Sequence, residues 1–449
     1  MIAKAPYLFL LLILIPDLYF DLHYWRHKYQ GGQRLLRWLP SIIMVALTIK
    51  LAYEKSFVPD NPAILWIYLL MIGLIAVPKA VFMLCSIVGL GFCKLFRSRR
   101  NFGNLVGLLC VPVIWYILLY GSFVGFNKLE VNRQTFVSKD LPQAFDGYKV
   151  VILSDAHVGS YNERNAYVLK RAIDSINAQR PDIIVFLGDL QNTEPKDIYP
   201  HMDVLSSLKA KDGIYTVLGN HDYGDYICGN TAKKVANCRE TMSLERQMGW
   251  TLLLNEHRYI DRKKSSIIIA GMENDGDGIK FPQKGDVKKT LKGIKGISTP
   301  KGTSTLKGTS TPTGVSKGIS TPMGVSSSPP KLGGARDGLN NRSDHRSDNH
   351  PDLRPSHRPF VLMLEHDPSS WRRKIIPDGR AQLTLSGHTH RMQFALFGWC
   401  PMALLGNEFY DWYHEGDQSL FVTAGLGGLI PFRFGATGEI VVLTLRSEK

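Results

Sequence analysis

Residues 151–160, VILSDAHVGS, join an apolar run to a carboxylate and an imidazole. The β-branched run predicts a buried strand, and Asp155 and His157 come directly after its end. Taken alone, an Asp-x-His pair is more often a turn or a helix cap than a metal site. Its interpretation therefore depends on whether other strands along the chain end in matching polar residues.

Four other predicted strands do end in such residues. In an open α/β sheet, ligands bind at the carboxyl ends of the strands. A mixture of imidazole, amide and carboxylate donors suits Mn, Fe, Zn or Co, and two such ions about 3.5–4 Å apart can clamp a phosphoryl group. The order along the chain therefore indicates a two-metal site rather than separate turns. The strand ends carry Asp189, then Asn220, His221 and Asp222, then His366, and finally His388 and His390.

Apolar runs alternate with helical stretches from about residue 145 to the end of the chain. Continuous apolar strands between helices are typical of a sheet that is covered on both faces. We therefore predict an α/β domain over residues 145–449. Its helices are predicted at 165–179 and 198–210, and its strands at 148–154, 182–189, 213–220, 265–271, 359–365, 381–387, 419–425 and 439–445.

Residues 295–358 interrupt this pattern with imperfect Lys-Gly-(Ile/Thr)-Ser-Thr repeats. The segment has almost no large apolar side chain, so it is predicted to be a disordered insertion within the domain. Its ten Lys and Arg against four Asp give +6 of the net charge of +15. Together with the basic loops between the apolar segments, this removes most of the reason to expect nucleic-acid binding, and contact with anionic lipid headgroups or glycans stays open. Its histidines are expected to be solvated rather than metal-bound: 345, 350 and 357.

Residues 1–127 are far more apolar than the rest and predict a helical transmembrane region of about four spans. The segments are 6–25, 38–53, 62–92 and 103–126, and a span needs about 20 apolar residues. The first segment is either a signal peptide or a retained helix. It lacks a small-x-small cleavage site and ends in Tyr24 and Trp25, as interfacial anchors do, which favours a retained helix. Pro78 and Lys79 predict a kink in the third segment or an interfacial continuation.

The basic residues of the short loops predict the orientation in the membrane. Lys and Arg are concentrated in loops on the cytoplasmic side. The first and third loops would then be cytoplasmic, and both chain ends, with the catalytic domain, extracytoplasmic; an odd number of spans would reverse this. The residues that carry the prediction are Arg26, Lys28, Arg34 and Arg37 in the first loop and Lys94, Arg97, Arg99 and Arg100 in the third.

The five strand-end motifs together resemble the signature of the calcineurin-like metallophosphoesterase superfamily. The apolar leader, with SDAH, GNHDYGDY, GMEN, EHDPSSW and SGHTHRMQ, is similar to the membrane-anchored bacterial branch of that superfamily. The resemblance covers about 145–445 except for the insertion. It implies a four-layer αββα sandwich of two mixed sheets, preceded by an all-α transmembrane region.

The resemblance also implies roles for the strand-end residues. Two divalent metal ions would be bound, with Asp189 bridging them and a bridging hydroxide attacking phosphorus. His221 would face the phosphate without binding metal, and Asp222 would orient His221 and fix its tautomer. One ion would be held by Asp155, His157, Asp189 and His390, and the other by Asp189, Asn220, His366 and His388.

Some residues depart from the family pattern. In GDLQN, residues 188–192, Asn192 stands where the family more usually has an acidic residue. Glu365 stands where a small residue is commoner, and on an alternating strand it is expected to point away when His366 points in. Arg391 replaces a common glycine, and either narrows the site or contacts phosphate. The glycine-rich segment 423–439 lacks a P-loop Lys and predicts strand-end turns, with Arg433 as a candidate rim residue.

The leading hypothesis is a membrane-anchored phosphatase or phosphodiesterase, and the anchor suggests a lipid-linked phosphoester as substrate. The alternative is a catalytically silent binding or sensor module, which would be expected to lose Asp189 or His221; this chain keeps both. A transporter is disfavoured because the spans carry few charges. Cys228 and Cys238 are either bridged in an oxidising compartment or free, and no CxxC motif predicts a zinc or redox site.

Overall fold

The computed structural model describes residues 5–53, 62–227, 230–278, 281–294 and 358–448. The predicted insertion, with its three histidines, falls outside the described residues except for its last residue, Arg358. Cys228 also lies outside them, so whether it is bridged to Cys238 or free stays open. The disorder expected of the insertion therefore remains a prediction.

The described residues among the first 125 form long apolar helices. They are α1 (Ala5–Phe20), α2 (Gly31–Tyr53), α3 (Pro62–Met71), α4 (Val77–Phe96) and α5 (Phe102–Tyr120). Turns of π-helix extend α1 over Asp21–Trp25, join α3 to α4 over Ile72–Ala76, and extend α5 over Gly121–Gly125. By length and composition, four segments could cross a membrane: Pro6–Trp25, Gly31–Tyr53, Ile64–Phe96 and Phe102–Gly125.

These four segments confirm the predicted transmembrane region. The second is longer than the predicted 38–53, because α2 begins at Gly31 and carries Arg34 and Arg37 in its first turns. The third does not leave the bundle at Pro78. The π-helical turn that precedes Pro78 accommodates the missing N–H, and the helix continues to Phe96.

An ion pair joins the first and third segments inside the bundle. The Lys79 ammonium lies 2.5 Å from the carboxylate of Asp17, whose side chain is fully buried. A charge in a membrane segment is costly unless it is paired or faces a polar partner. The pair therefore specifies how α1 packs against α4.

We predict that Lys79→Met destabilises the helical bundle, because it leaves the Asp17 carboxylate buried without its cation. The expected loss is about 3 kcal/mol, the insertion cost of one charge at the centre of a span. Thermal unfolding in detergent measures it, with Lys50→Met at the exposed end of α2 as control. The double variant Asp17→Asn/Lys79→Met should recover most of the loss. Equal melting temperatures for the single and double variants would contradict the coupling.

The remaining chain forms two six-stranded mixed sheets. The strand order in the first sheet is β1-β12-β2-β3-β4-β5, and in the second it is β10-β11-β9-β8-β7-β6. The first sheet contains β1 (Leu129–Ser138), β2 (Tyr148–Leu153), β3 (Ile183–Phe186), β4 (Ile214–Thr216), β5 (Thr251–Leu252) and β12 (Gly438–Ser447). The second contains β6 (Glu256–Arg262), β7 (Ser265–Gly271), β8 (Val361–Leu364), β9 (Leu383–Ser386), β10 (Asp411–Glu415) and β11 (Gln418–Val422).

Apolar cores on both faces of each sheet give four layers. Between the sheets, Val150 and Ile152 of the first share a core with Leu362 and Leu364 of the second. The outer face of the first sheet packs against α6 (Ala166–Ala178), α7 (Met202–Ser206) and α8 (Thr231–Gln247). The outer face of the second packs against α9 (Val287–Thr290) and the helical segment formed by Trp371–Ile375 and α10 (Ile376–Asp378). The predicted αββα sandwich is confirmed.

Strand β1 lies upstream of the predicted domain start at residue 145. All ten of its residues, Leu129–Ser138, pair in parallel with β12. One face of β1 is exposed, so its sequence alternates and shows no continuous apolar run. Only residues 126–128 separate this strand from the last turn of the membrane segment, which ties the sheet closely to the membrane.

Candidate metal centre

The predicted site residues follow the carboxyl ends of five strands. Strands β2, β3 and β4 are parallel neighbours in the first sheet, and β8 and β9 are parallel neighbours in the second. Parallel neighbours end at the same edge of a sheet, so their following loops converge. The structure brings all seven predicted metal ligands together there: Asp155, His157, Asp189, Asn220, His366, His388 and His390.

The first group consists of Asp155, His157, Asp189 and His390, whose ligand atoms all lie within 4.8 Å of one another. The Nε2 atoms of His157 and His390 are 3.3 Å apart. His390 Nε2 is 3.4 Å from Asp155 Oδ1, and His157 Nε2 is 3.6 Å from Asp189 Oδ2. Ligand atoms held about 2.1 Å from a tetrahedral metal are separated by about 3.4 Å. The spacing fits one ion.

The second group shares Asp189 with the first. Asp189, His366 and His388 again place one ligand atom each within 4.8 Å of the others. Asn220 Oδ1 lies 2.8 Å from His388 Nδ1 and 3.2 Å from His366 Nε2. Asp189 Oδ2 is 3.2 Å from His366 Nε2. One oxygen of Asp189 therefore lies beside imidazoles of both groups.

The protonation of the imidazoles also fits a metal site. His366 Nδ1 donates to the Leu187 carbonyl at 2.7 Å, which orients Nε2 toward the ligand group. Burial lowers the pKa of His366, but the Asp189 and Asp155 carboxylates raise it well above its ordinary value, so the ring holds a proton that a bound metal ion would displace. Burial lowers the pKa of His390 to about 4 and lowers the pKa of His157 well below its ordinary value. Both rings are thus neutral near pH 7, the form that binds metals. Among the described residues, their buried Nδ1 atoms have no hydrogen-bond partner.

The ligand loops turn through unfavourable backbone conformations. Positive φ values occur at Asp155 (52°), His157 (43°), Asp189 (57°), His388 (70°) and His390 (49°). Such values cost free energy in non-glycine residues and are concentrated at functional sites. Gly387 is needed beside them, because a Cβ there would overlap Ser154 Oγ and a carboxylate oxygen of Asp155.

Asp222 holds the turn that carries Asp189. Its Oδ2 accepts from the backbone N–H groups of Asp189 at 2.7 Å and Gly219 at 2.9 Å, and its Oδ1 accepts from that of Leu190 at 3.1 Å. Burial and the neighbouring Asp189 carboxylate raise the pKa of Asp222 to about 7. Two adjacent buried carboxylates favour the arrival of positive charge, which agrees with a cation site.

The prediction that Asp222 orients His221 is wrong. His221 Nδ1 instead donates to the Asn192 carbonyl at 2.5 Å, and its ring stacks on Tyr226 with centroids 4.4 Å apart. The ring also meets that of His157 edge-on at 4.8 Å. His221 belongs to neither ligand group and lies beside the first.

Tyr226 is a site residue that the sequence analysis did not identify. Its hydroxyl accepts from Asn220 Nδ2 at 2.8 Å, so the amide oxygen of Asn220 faces His366 and His388. Its ring supports His221 at the same time. No spacing rule distinguishes this tyrosine from the other aromatics of GNHDYGDY.

Two residues that depart from the family pattern, Asn192 and Glu365, make defined hydrogen bonds in the structure. Asn192, the residue in the usually acidic position, accepts from His221 with its carbonyl and donates from Nδ2 to Ser160 Oγ at 2.9 Å. Glu365 points away from the ligands, as predicted, and accepts from the Asp275 N–H at 2.9 Å and the Ser370 hydroxyl at 2.6 Å. Burial and the Asp367 charge raise the pKa of Glu365 to about 8.

Two arginines near the site make structural contacts. Arg391 donates to the Gly398 carbonyl at 2.9 Å and lies over the Tyr410 ring at 4.2 Å, so it fastens the following loop. The prediction of Arg433 as a rim residue is wrong, since its side chain is buried. It donates to four carbonyls of the glycine-rich segment, which forms strand-end turns as predicted: those of Ala424, Gly425, Gly427 and Ala436.

We predict that Asp222→Asn weakens metal binding about 10- to 100-fold, the usual effect of removing a group that positions a ligand. The new amide NH₂ would oppose backbone N–H donors and cost about 1–3 kcal/mol of stability. Titration calorimetry with Mn²⁺ and thermal unfolding measure the two effects. Asp225→Asn, half-exposed in the same turn, is the control. Unchanged Mn²⁺ affinity in Asp222→Asn would contradict the positioning role.

Comparison with known proteins gives two family matches. Residues 148–392 match the family model "Calcineurin-like phosphoesterase". Residues 2–126 match the model "Probable Calcineurin-like phosphoesterase, transmembrane domain". The transmembrane match ends just beyond α5 and the phosphoesterase match begins at β2, so residues 127–147, which include β1, lie between them.

Individual relatives have similar descriptions. "Uncharacterized metallophosphoesterase YkuE" of Bacillus subtilis is 26% identical over 336 residues, which cover 73% of this chain and 89% of that protein. "Transmembrane protein with metallophosphoesterase domain" of Danio rerio is 24% identical over 76% of this chain and 62% of its own length. "UDP-2,3-diacylglucosamine pyrophosphatase LpxG" of Chlamydia trachomatis is 32% identical over 31% of this chain and 42% of its own length.

Proposed function

The chain belongs to the calcineurin-like phosphoesterase family, and from this premise we propose that it hydrolyses phosphoesters with two divalent metal ions. The observation that supports two ions is the shared carboxylate: Asp189 Oδ2 lies 3.6 Å from His157 Nε2 and 3.2 Å from His366 Nε2. Each imidazole belongs to a different ligand group.

We assign each of the two ligand groups to one ion, according to the distances between their ligand atoms. The mixed nitrogen and oxygen donors suit Mn, Fe, Zn or Co. Bound there, the ions would supply Lewis-acid charge for a phosphoryl group and acidify water. The first ion would be held by Asp155, His157, Asp189 and His390, and the second by Asp189, Asn220, His366 and His388.

His221 is the proposed proton donor. Because Nδ1–H donates to the Asn192 carbonyl, Nε2 is the ring nitrogen that faces away, and it would give a proton to a phosphoryl or leaving oxygen from the imidazolium form of the ring. Tyr226 keeps the ring in place by stacking, and the backbone N–H of His221 donates to Asp189 Oδ1 at 2.8 Å. The ring and the shared carboxylate are therefore fixed relative to each other.

The proposed substrate class is a phosphoester whose alcohol belongs to a membrane lipid. The catalytic sheet begins at Leu129, and only three residues separate it from the last membrane turn, so the domain stays close to the bilayer. The name of the chlamydial relative describes a pyrophosphatase acting on a diacylated glucosamine nucleotide, which agrees with a lipid-linked phosphate substrate, although the bond that a pyrophosphatase breaks is an anhydride rather than an ester.

We predict that the purified full-length protein hydrolyses a fluorogenic phosphoester when Mn²⁺ is added. Asp189→Ala should abolish activity and reduce bound metal, because both ligand groups lose a member. His221→Ala should lower kcat about 10²- to 10⁴-fold, the range for general acid–base groups, while bound metal is retained. Metal analysis and initial rates measure these effects, with Asp174→Ala on the exposed face of α6 as control.

Full activity of Asp189→Ala or His221→Ala would refute the proposed roles. Bound metal without hydrolysis in the unchanged protein would favour a binding or sensor module instead.

The proposed orientation places the catalytic domain outside the cytoplasm. Four spans put the N-terminus and the domain on one side, and the basic clusters at residues 26–37 and 94–100 lie on the other. We predict that a reporter enzyme active only after export is active when fused after Lys449 and inactive when fused after Ser98. The opposite pattern, with equal expression of both fusions, would place the domain in the cytoplasm.

A further inference from the structure

An uncharged segment follows the metal ligand His390. Residues 392–405, MQFALFGWCPMALL, contain no charged side chain and are called here the apolar hairpin. Beyond residue 126 of the described chain, eleven large apolar side chains are exposed, and six of them lie in these fourteen residues. Apolar side chains exposed singly are normal on a protein surface, whereas a cluster of this kind marks an interaction surface. The six are Met392, Leu396, Phe397, Trp399, Leu404 and Leu405.

The tip of the hairpin is built at a conformational cost. Leu396 and Trp399 exchange backbone hydrogen bonds of 2.8 and 3.0 Å around a two-residue turn. Both turn residues have positive φ, 51° at Phe397 and 83° at Gly398. This turn favours Asn-Gly, and an aromatic residue in its first position is strained. Phe397 is 100% exposed, so no contact within the described chain offsets the strain.

The base of the hairpin is fastened to the end of the last membrane segment. The Phe394 ring stacks on Phe434 at 5.8 Å, and Phe434 packs edge-on against Tyr120 at 5.8 Å and Tyr116 at 6.3 Å. Tyr116 and Tyr120 belong to the last turns of α5. Aromatic residues at the end of a span mark the membrane–water interface. The hairpin therefore starts beside the last turns of the membrane segment, which ends at Gly125.

Backbone contacts also join the loop around Arg433 to the last membrane segment. The Arg433 N–H donates to the Gly121 carbonyl at 3.0 Å, and Phe432 covers Gly121 so closely that a Cβ there would overlap its ring. On the other side, Arg391 joins His390 to the tip through the Gly398 carbonyl. The hairpin is thus held between the membrane segment and the metal site.

We propose that the apolar hairpin inserts into the lipid bilayer beside the fourth membrane segment and holds the opening of the metal site at the membrane surface. Phe397, Leu404 and Leu405 would enter the acyl region, and Trp399 would lie at the interface. A phosphoester whose lipid alcohol stays in the bilayer would then reach the metal site without leaving the membrane. This second part rests on the proposed function, and the insertion itself does not.

The insertion is tested by photocrosslinking of the full-length protein in phosphatidylcholine–phosphatidylglycerol liposomes. Benzoyl-phenylalanine replaces Phe397, and in a matched protein it replaces Val137. Val137 is 56% exposed and lies eight residues beyond Leu129 on β1, about 26 Å farther along an extended strand. Intact mass after illumination should show phospholipid adducts at position 397 and none at 137. No lipid adduct at 397, or crosslinking there to a second copy of the chain, would overturn the proposal.

The substrate consequence is tested with two fluorogenic phosphodiesters that share one headgroup. In one the second alcohol is dioleoylglycerol in vesicles, and in the other it is methanol in solution. Phe397→Asp and Leu404→Asp should each raise KM for the vesicle substrate at least tenfold and leave kcat/KM for the soluble ester unchanged, with Val137→Asp as control. Equal effects on both esters, or no effect on the vesicle ester, would overturn this part. Failure of the unchanged protein on both esters would instead reject the diesterase form of the proposed function, while the photocrosslinking result would still decide the insertion.

Discussion

The carboxylate of Asp189 is the group around which the rest of the site is arranged. Its Oδ2 lies beside His157 and His366, and its Oδ1 accepts from the His221 N–H. Its own N–H donates to Asp222, in a turn where φ is 57°. A buried carboxylate needs compensating charge or donors on every side. The two sheets must therefore meet closely at this edge, because Asp189 follows a strand of one sheet and His366 a strand of the other.

The need to hold the buried Asp189 carboxylate between the two sheets also explains the polar side chains buried behind the predicted ligands. Asp222 satisfies N–H groups of the Asp189 turn, and Arg433 satisfies carbonyls of the loop that packs against Asp155. Leu426 and Gly427 of this loop donate to the carbonyls of Ser154 and Asp155. Strained loops persist only where the surroundings over-determine them. The buried hydrogen bonds thus hold positive φ values at several ligands, a cost that a catalytic or binding site offsets by fixing geometry.

The same Arg433 loop links the site to the membrane. Residues Phe432 and Phe434 lie against the last turns of α5, and the backbone of Arg433 bonds to Gly121. Only three residues separate the end of that segment from the start of the catalytic sheet. The domain is consequently attached to the membrane segment both through the chain and through a packed contact. A tether of residues 126–128 alone would fix only the distance of the domain from the bilayer, whereas the packed contact also constrains its orientation.

Beyond the four-layer arrangement, which only the family resemblance implied, the sequence by itself determined a sheet covered on both faces, the membrane segments and the seven residues that the structure gathers at one edge. These depend on local features: apolar runs, their length, and the first polar residues after each strand. The strands that sequence reasoning missed, β1, β5, β6 and β10, are the four sheet edges. Edge strands are short or half-exposed and lack a continuous apolar run. Only the tertiary structure decided the partners of Asp222, His221, Tyr226 and Arg433, because those contacts join backbone groups and rings from loops distant in sequence. Backbone carbonyl and N–H groups are the same in nearly all residue types. The sequence therefore does not show which partner each of them bonds, and only the folded chain does.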